Sequence, residues 1–257
     1  MGQSLGRAAL SSWSAGPILV SYSYFEKDNI QRDNFDFFMT IAMGLDNVMD
    51  RPRDLEFVIV QSGDKCTPCS RLEPRLRAAP ARLDSVSSAA VGPNTTLLKR
   101  KLNEGMDFAA HNTTISYLQS ENQLKRYRYI FFLNSSIRGP FVPPYMPEGW
   151  QWTDAFTSRL VNSVHAVSSS LVCLPEVDEG GPGPRLESWA FAVTAEGLQA
   201  LLQEGLFELR TCKLCPCEHG MKVDTLMAKY RGVDWTDKKH WNCNDNVHPS
   251  RHGTYDG

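Results

Sequence analysis

The sequence predicts a single α/β domain with a mixed, mainly parallel central sheet and helices on both faces. Strand-like runs alternate with helical periodicity through the first 140 of its 257 residues, and that alternation favours parallel strands joined by crossover helices. The most apolar short run, from Tyr127 to Leu133, has the aromatic and β-branched character of a central strand. At 42% hydrophobic and 22% charged, the composition supplies enough apolar material for one sizeable core.

The elements follow in order. Leu19 to Phe25 reads as a buried strand, followed by a helix from about Arg32 to Leu45 that gathers Phe35, Phe38, Met39 and Ala42 on one face. Asp54 to Gln61 is the next strand, stopped by the turn residues Ser62-Gly63-Asp64. Residues 70–95 suggest a surface helix and then a short strand near Val86 to Val91. Gly105 leads into a helix reaching Leu118, and the strand from Tyr127 to Leu133 comes after it. Pro140, Pro143, Pro144 and Pro147 enforce an extended loop, because each fixes φ and removes a donor. Trp152 to Leu160 is expected as a helix capped by Thr153 or Asp154, Val164 to Leu174 as a strand, and residues 179–184 as a Gly/Pro loop. A strand from Trp189 to Val193, a helix from Ala195 to Gln203 and a helix from Met221 to Tyr230 complete the pattern. The domain is expected to span residues 16–240, with residues 1–15 as leader or linker and residues 241–257 as a polar C-terminal segment that reads as cut short.

A formal net charge of -2 gives no general pull toward phosphate backbones or anionic lipid, so nucleic acid is not the expected partner. No window approaches the roughly 20 apolar residues needed to span a bilayer. Membrane attachment is expected only through a segment outside this chain. Asn94-Thr95-Thr96 and Asn112-Thr113-Thr114 are glycosylation sequons, and Asn134-Ser135-Ser136 is a third that is expected to lie too deep for modification. With seven cysteines, they point to an oxidising, secretory compartment, the Golgi lumen among them.

The chemistry concentrates after the strongest strand. Tyr127 to Leu133 delivers Asn134, Ser135, Ser136, Ile137, Arg138, Gly139 and Pro140 to its carboxyl end, the rim where open α/β sheets bind ligands. An ordinary strand-to-loop turn with polar caps has the same local pattern. The segment from Phe131 to Phe141, FFLNSSIRGPF, resembles the signature of a eukaryotic and algal glycosyltransferase-like family, related to rhamnan-synthesis and capsular-polysaccharide transferases of the GT-A (Rossmann-like) type. Residues 19–26 (LVSYSYFE), 103–110 (NEGMDFAA), 152–156 (WTDAF) and 187–193 (ESWAFAV) resemble further segments of that family in the same order, so the resemblance covers nearly the whole chain.

The resemblance implies a nucleotide-sugar donor and a glycan or other hydroxyl acceptor. Donor contacts would fall on Lys101, Asn103, Gly105, Asp107, Asn134, Ser135, Ser136, Arg138 and Gly139. Charge builds on a diphosphate leaving group as the glycosidic bond breaks, so positive charge is needed there. Many GT-A enzymes hold a divalent cation through an Asp-x-Asp strand end; Asn134-Ser135-Ser136 has no carboxylate at that place, and Mg²⁺ or Mn²⁺ favours carboxylate oxygen. Either Asp107 supplies the missing ligand, or Arg138 and Lys101 neutralise the diphosphate directly. A helix cap is the structural alternative for Asp107, and a surface ion pair is the alternative for Arg138. Gly105 and Gly139 would allow close approach of backbone to ligand. Glu187 and Glu218 are the candidate general bases for an inverting transfer, although relatives more often carry glutamine at the first place. A fold of this type that retained its cleft and lost turnover would be a binding scaffold instead.

Cys66-Thr67-Pro68-Cys69 follows a strand and precedes a helix-like run, the local context of a thiol-disulfide oxidoreductase. A structural disulfide or free thiols is the expected use of this pair. Cys212, Cys215 and Cys217, with His219 close by, have a spacing compatible with zinc. In an oxidising compartment disulfides such as Cys212 or Cys217 with Cys243 are expected over the metal.

Overall fold

The computed structural model describes residues 17–45, 55–72, 76–83, 86–91, 94–176, 182–207 and 220–246. Its centre is a mixed sheet of strands β1 (Ile18–Phe25), β2 (Leu55–Ser62), β3 (Leu76–Leu83), β4 (Val86–Val91), β5 (Thr95–Arg100), β6 (Tyr129–Asn134), β7 (Val164–Ser168), β10 (Ala190–Thr194) and β11 (Lys222–Thr225). They lie in the order β11-β7-β10-β6-β1-β2-β5-β4-β3. The heart of the sheet is parallel, with β1 paired to β2 on one side and β6 on the other, and β5 continuing from β2. Only β10 and β4 run against the other strands. Strands β8 (Leu171–Leu174) and β9 (Gly183–Leu186) form a separate antiparallel pair.

Alternation along β1 shows why the sheet is covered on both faces. Val20, Tyr22 and Tyr24 enter the apolar cluster beneath helix α1 (Asn29–Ile41), where Phe35, Phe38 and Met39 are buried. Tyr22 lies 4.2 Å from Phe38 and 5.1 Å from Phe35, centroid to centroid. Leu19 points to the opposite cluster, which holds Phe108, Ala110, Ile115 and Leu118 of α2 (Met106–Ser120), together with Leu198 and Leu201 of α4 (Ala195–Gln203). Each buried ring or branched chain contributes about 2 kcal/mol. Strands with two covered faces lose the polar alternation of a surface sheet.

Helix α1 begins earlier than the apolar periodicity suggests, because Asp28 and Gln31 form a capping box: Ile30 N–H donates to Asp28 at 2.7 Å and Asp28 N–H donates to Gln31 at 2.9 Å. The expected helix within residues 70–95 is absent from the described part of that stretch. A short 3-10 turn, Thr67–Arg71, is followed by the β3–β4 hairpin at the sheet edge. Trp152 to Leu160 contains only one helical turn, α3 (Asp154–Thr157), and there Asp154 rather than Thr153 accepts a backbone bond, from Gln151 N–H at 2.8 Å. Val164 to Leu174 divides into β7 and β8, which join different sheets. Met221 to Tyr230 is not a helix: Lys222–Thr225 pairs in parallel with β7, and Asp224 forms a 3.1 Å ion pair with Arg159.

Cys243 bonds to Cys173 of β8, not to Cys212 or Cys217, both of which lie outside the described residues together with Cys215. Cys173 has no partner within three residues to mark it in the sequence, whereas the fold sets its Cα 5.2 Å from that of Cys243. Trp241 closes over the same hairpin and lies where a side chain at Gly183 would be, 2.5 Å from its Cβ position, with φ there at +113°. Only glycine satisfies both demands.

Candidate functional site

A cavity of about 400 Å³ opens at the carboxyl rim of the parallel strands. Ser23 and Phe25 of β1 form its floor and one wall, and Lys27 and Gln31 follow at the entry to α1. Asn103, Met106 and Asp107 enter from the start of α2, Asn134, Ser135 and Ser136 from the end of β6, and Ser188 and Trp189 from the approach to β10. The sheet produces this convergence. In the parallel register Ser23 lies beside Asn134, and Asn134 N–H donates to the Trp189 carbonyl at 3.1 Å.

The Asn134 turn is fixed from three sides. Ser135 N–H donates to the Ser23 carbonyl at 3.1 Å, while buried Asn34 on α1 donates to the Ser135 carbonyl at 3.0 Å. Asn134 Oδ1 accepts from Ser136 N–H at 3.0 Å and from the Ser136 hydroxyl. Asn134 Nδ2 donates to Asp107 Oδ2 at 2.9 Å, and Asp107 Oδ1 accepts from Phe108 N–H at 3.2 Å. The two residues therefore meet in one cleft although 27 positions separate them. Asp107 is also in the first turn of α2, favourable for a carboxylate near a helix N-terminus. Gly105 and Met106 both have positive φ, 69° and 50°. The chain turns sharply there, and Met106 is left 68% exposed at the cleft.

One turn into α2, His111 is buried with Nδ1 2.9 Å from Ser21 Oγ, which donates to Thr114 Oγ1 at 2.8 Å. Burial lowers its pKa to about 4, only partly opposed by Asp107, so the ring is neutral near pH 7.

Several residues expected at the donor lie elsewhere. Arg138 stacks over Phe37 of α1 at 4.6 Å, and neither it, Gly139, Gly105 nor Lys101 lines the cavity. An aromatic face satisfies the guanidinium without any anion. Glu187 is buried and paired with Arg185 at 3.1 Å, one residue before the lining Ser188. Glu218 lies outside the described residues.

The residues that sequence reading missed are Ser23, Lys27, Gln31, Ser188 and Trp189. A serine inside an apolar strand and a lysine two residues past its end are the signals that mark the first two.

The Cys66–Cys69 pair forms a disulfide, with Cys69 buried. Its turn is anchored by Glu26, which accepts from Thr67 N–H at 2.6 Å, Thr67 Oγ1 at 2.7 Å, Tyr24 hydroxyl at 2.8 Å and Lys65 at 3.0 Å. Burial alone would raise the Glu26 pKa, but the Thr67, Lys65 and Tyr24 donors outweigh it and bring it to about 2. Cys66 is the N-cap of the 3-10 turn Thr67–Arg71, which contains Cys69, where a redox motif of the expected kind would open a longer helix.

The donor set at the strand end offers a divalent cation a single carboxylate. The Asn134 carbonyl oxygen is already engaged twice by Ser136, and Asp107 is the one carboxylate among the described lining residues. Among the described residues no group of three or more His, Cys, Asp or Glu could hold a metal. No helix among them is long and apolar enough to cross a membrane.

No family model and no curated protein matches the chain. Among solved structures it is similar to the mannosyltransferase PcManGT from Pyrobaculum calidifontis, in complex with GDP-Man and Mn2+, at 15% identity over 73% of this chain and 47% of that one, with a TM-score of 0.42. It is also similar to the bifunctional glycosyltransferase WbbM in its apo form, at 11% identity over 76% of this chain and 33% of that one, with a TM-score of 0.31. The chain spans less than half the length of either protein, and similarity at this level assigns no residue a role.

Proposed function

We propose that the rim cleft binds a nucleotide sugar and that the chain transfers the sugar to a hydroxyl of a glycan acceptor. The observation that carries this reading is the hydrogen-bonded Asp107–Asn134 pair in an open cavity at the carboxyl ends of parallel strands. The same two residues belong to the segments that resemble glycosyltransferase-like sequences. The exposed apolar surfaces of Phe25 and Met106 suit a nucleobase or sugar face, and the serine and asparagine groups suit hydroxyls.

In the transfer an acceptor oxygen bonds to the anomeric carbon while the bond from that carbon to the diphosphate breaks. The bonding pair stays on the phosphate oxygen, and the acceptor proton passes to a base or to water. Glu187 is the described candidate base, provided that Arg185 releases it; Glu218 is the other. The Cys66–Cys69 and Cys173–Cys243 disulfides favour a secretory setting such as the Golgi lumen.

A thermal-shift screen of UDP-, GDP- and dTDP-sugars on the full chain tests the reading, followed by product analysis with glycan acceptors. Stabilisation by at least one nucleotide sugar with transfer to an acceptor is expected. Stabilisation without transfer to any acceptor would leave a binding scaffold, and no stabilisation would remove both readings.

A further inference from the structure

We infer that the cleft holds the diphosphate of its ligand with the Lys27 ammonium and without a divalent cation. The inference deepens the nucleotide-sugar reading and rests on it. The end of β6 presents Asn134 to the cleft. Its Oδ1 is taken by Ser136 N–H and the Ser136 hydroxyl, and its Nδ2 by Asp107. Asp107 accepts one hydrogen bond on each oxygen, and no second carboxylate joins it among the described lining residues. Hard cations favour carboxylate oxygen, and apart from Asp107 the oxygen-bearing side chains among the described lining residues are neutral amides and hydroxyls.

Positive charge is present in another form. Lys27 lines the cavity and forms no ion pair among the described residues, whereas Lys65 is committed to Glu26, and Arg100 to the Glu104 carbonyl at 2.9 Å. Its backbone is held in place: Lys27 N–H donates to the Phe25 carbonyl at 3.1 Å, and the next residue, Asp28, is locked into the capping box of α1. A flexible ammonium on a rigid base can follow a diphosphate as its charge grows when the glycosidic bond breaks. The cation needed by a diphosphate therefore comes from the turn between β1 and α1, not from Arg138 or Lys101.

Calorimetric titration of the full chain with UDP, GDP and dTDP, in EDTA and again in Mn²⁺, tests this directly. For the nucleotide that binds, affinities in the two buffers should agree within about twofold. Lys27→Ala should weaken binding by about tenfold with an unchanged melting temperature, and Lys27→Arg should recover most of the loss. Binding that requires Mn²⁺, or a Lys27→Ala protein that binds like wild type, would overturn the inference and leave the nucleotide-sugar reading standing. Absence of binding by all three nucleotides in both buffers would overturn the two together.

Discussion

Two carboxylates sit at the same rim of the sheet and are used in opposite ways. Glu26, at the end of β1, is buried, and each of its oxygens accepts two bonds, from Thr67 N–H and Tyr24 on one and from Thr67 Oγ1 and Lys65 on the other. That saturates a carboxylate's roughly four acceptor sites. Asp107 accepts one bond on each oxygen and faces a cavity. Saturation turns the first group into a structural joint between β1 and the Cys66–Cys69 turn, whereas the second keeps acceptor capacity for a ligand. A carboxylate at a strand end is thus a functional candidate only once its donors have been counted.

The contrast predicts different responses to mutation. Glu26→Ala should be among the largest effects, about 2 kcal/mol of stability by chemical denaturation, because it strands the buried Tyr24 hydroxyl and removes the hydrogen bonds that tie β1 to the Cys66–Cys69 turn. A loss below about 1 kcal/mol would mean that water replaces the carboxylate and that the joint is weak. The pH dependence sharpens the same point. The folded pKa of Glu26 is depressed from 4.5 to about 2, so its stabilisation is present above about 4.5 and is lost as pH falls toward 2. Glu26→Gln should flatten that part of the stability curve. Buried neutral His111, lowered from 6.5 to about 4, removes stability over its own range as pH falls from 6.5 to 4, since the unfolded chain takes up the proton first. His111→Gln should lose that higher step alone.

Cys66→Ser with Cys69→Ser should cost about 2 kcal/mol, since a disulfide over a separation of 3 residues constrains the unfolded chain little. A much larger loss would show that the Glu26 joint needs the covalent link. Asp107→Asn should be the mildest for stability, about 1 kcal/mol, because it leaves one carbonyl oxygen for the Phe108 and Asn134 donors and so removes one part-buried hydrogen bond. Its nucleotide-sugar binding should fall all the same. If the stability ranking of Glu26 and Asp107 were reversed, their assignments would be too.

How far the sequence discloses this depends on whether local or distant partners decide an element. Helix α4 is read to the residue, and β6 and β10 to within two, because their apolar runs and the Thr194 cap, which accepts from Gly197 N–H at 3.0 Å, are local signals. The alanine- and arginine-rich Leu76–Leu83 and the helix-patterned Lys222–Thr225 became strands through pairing with β4 and β7, and tertiary pairing outweighs weak propensity. Pro80 fits β3 because that strand is at the sheet edge. The proximity of Asp107 and Asn134 was legible because a β-α-β path returns the chain to one rim. Lys27 was passed over as a cavity-lining residue because a lysine two residues past a strand is a common pattern. The contact of Arg138 with Phe37 was not legible because the two are 101 positions apart.

We propose the cleft lined by the Asp107–Asn134 pair as the nucleotide-sugar site. The most direct test is a titration of wild-type and Asn134→Ala protein with the nucleotide sugar that gives the largest thermal shift. Saturable one-to-one binding by the wild type, weakened about tenfold or more in the variant with a melting temperature within a few degrees, is the predicted result. Equal affinity in the two proteins would contradict the account.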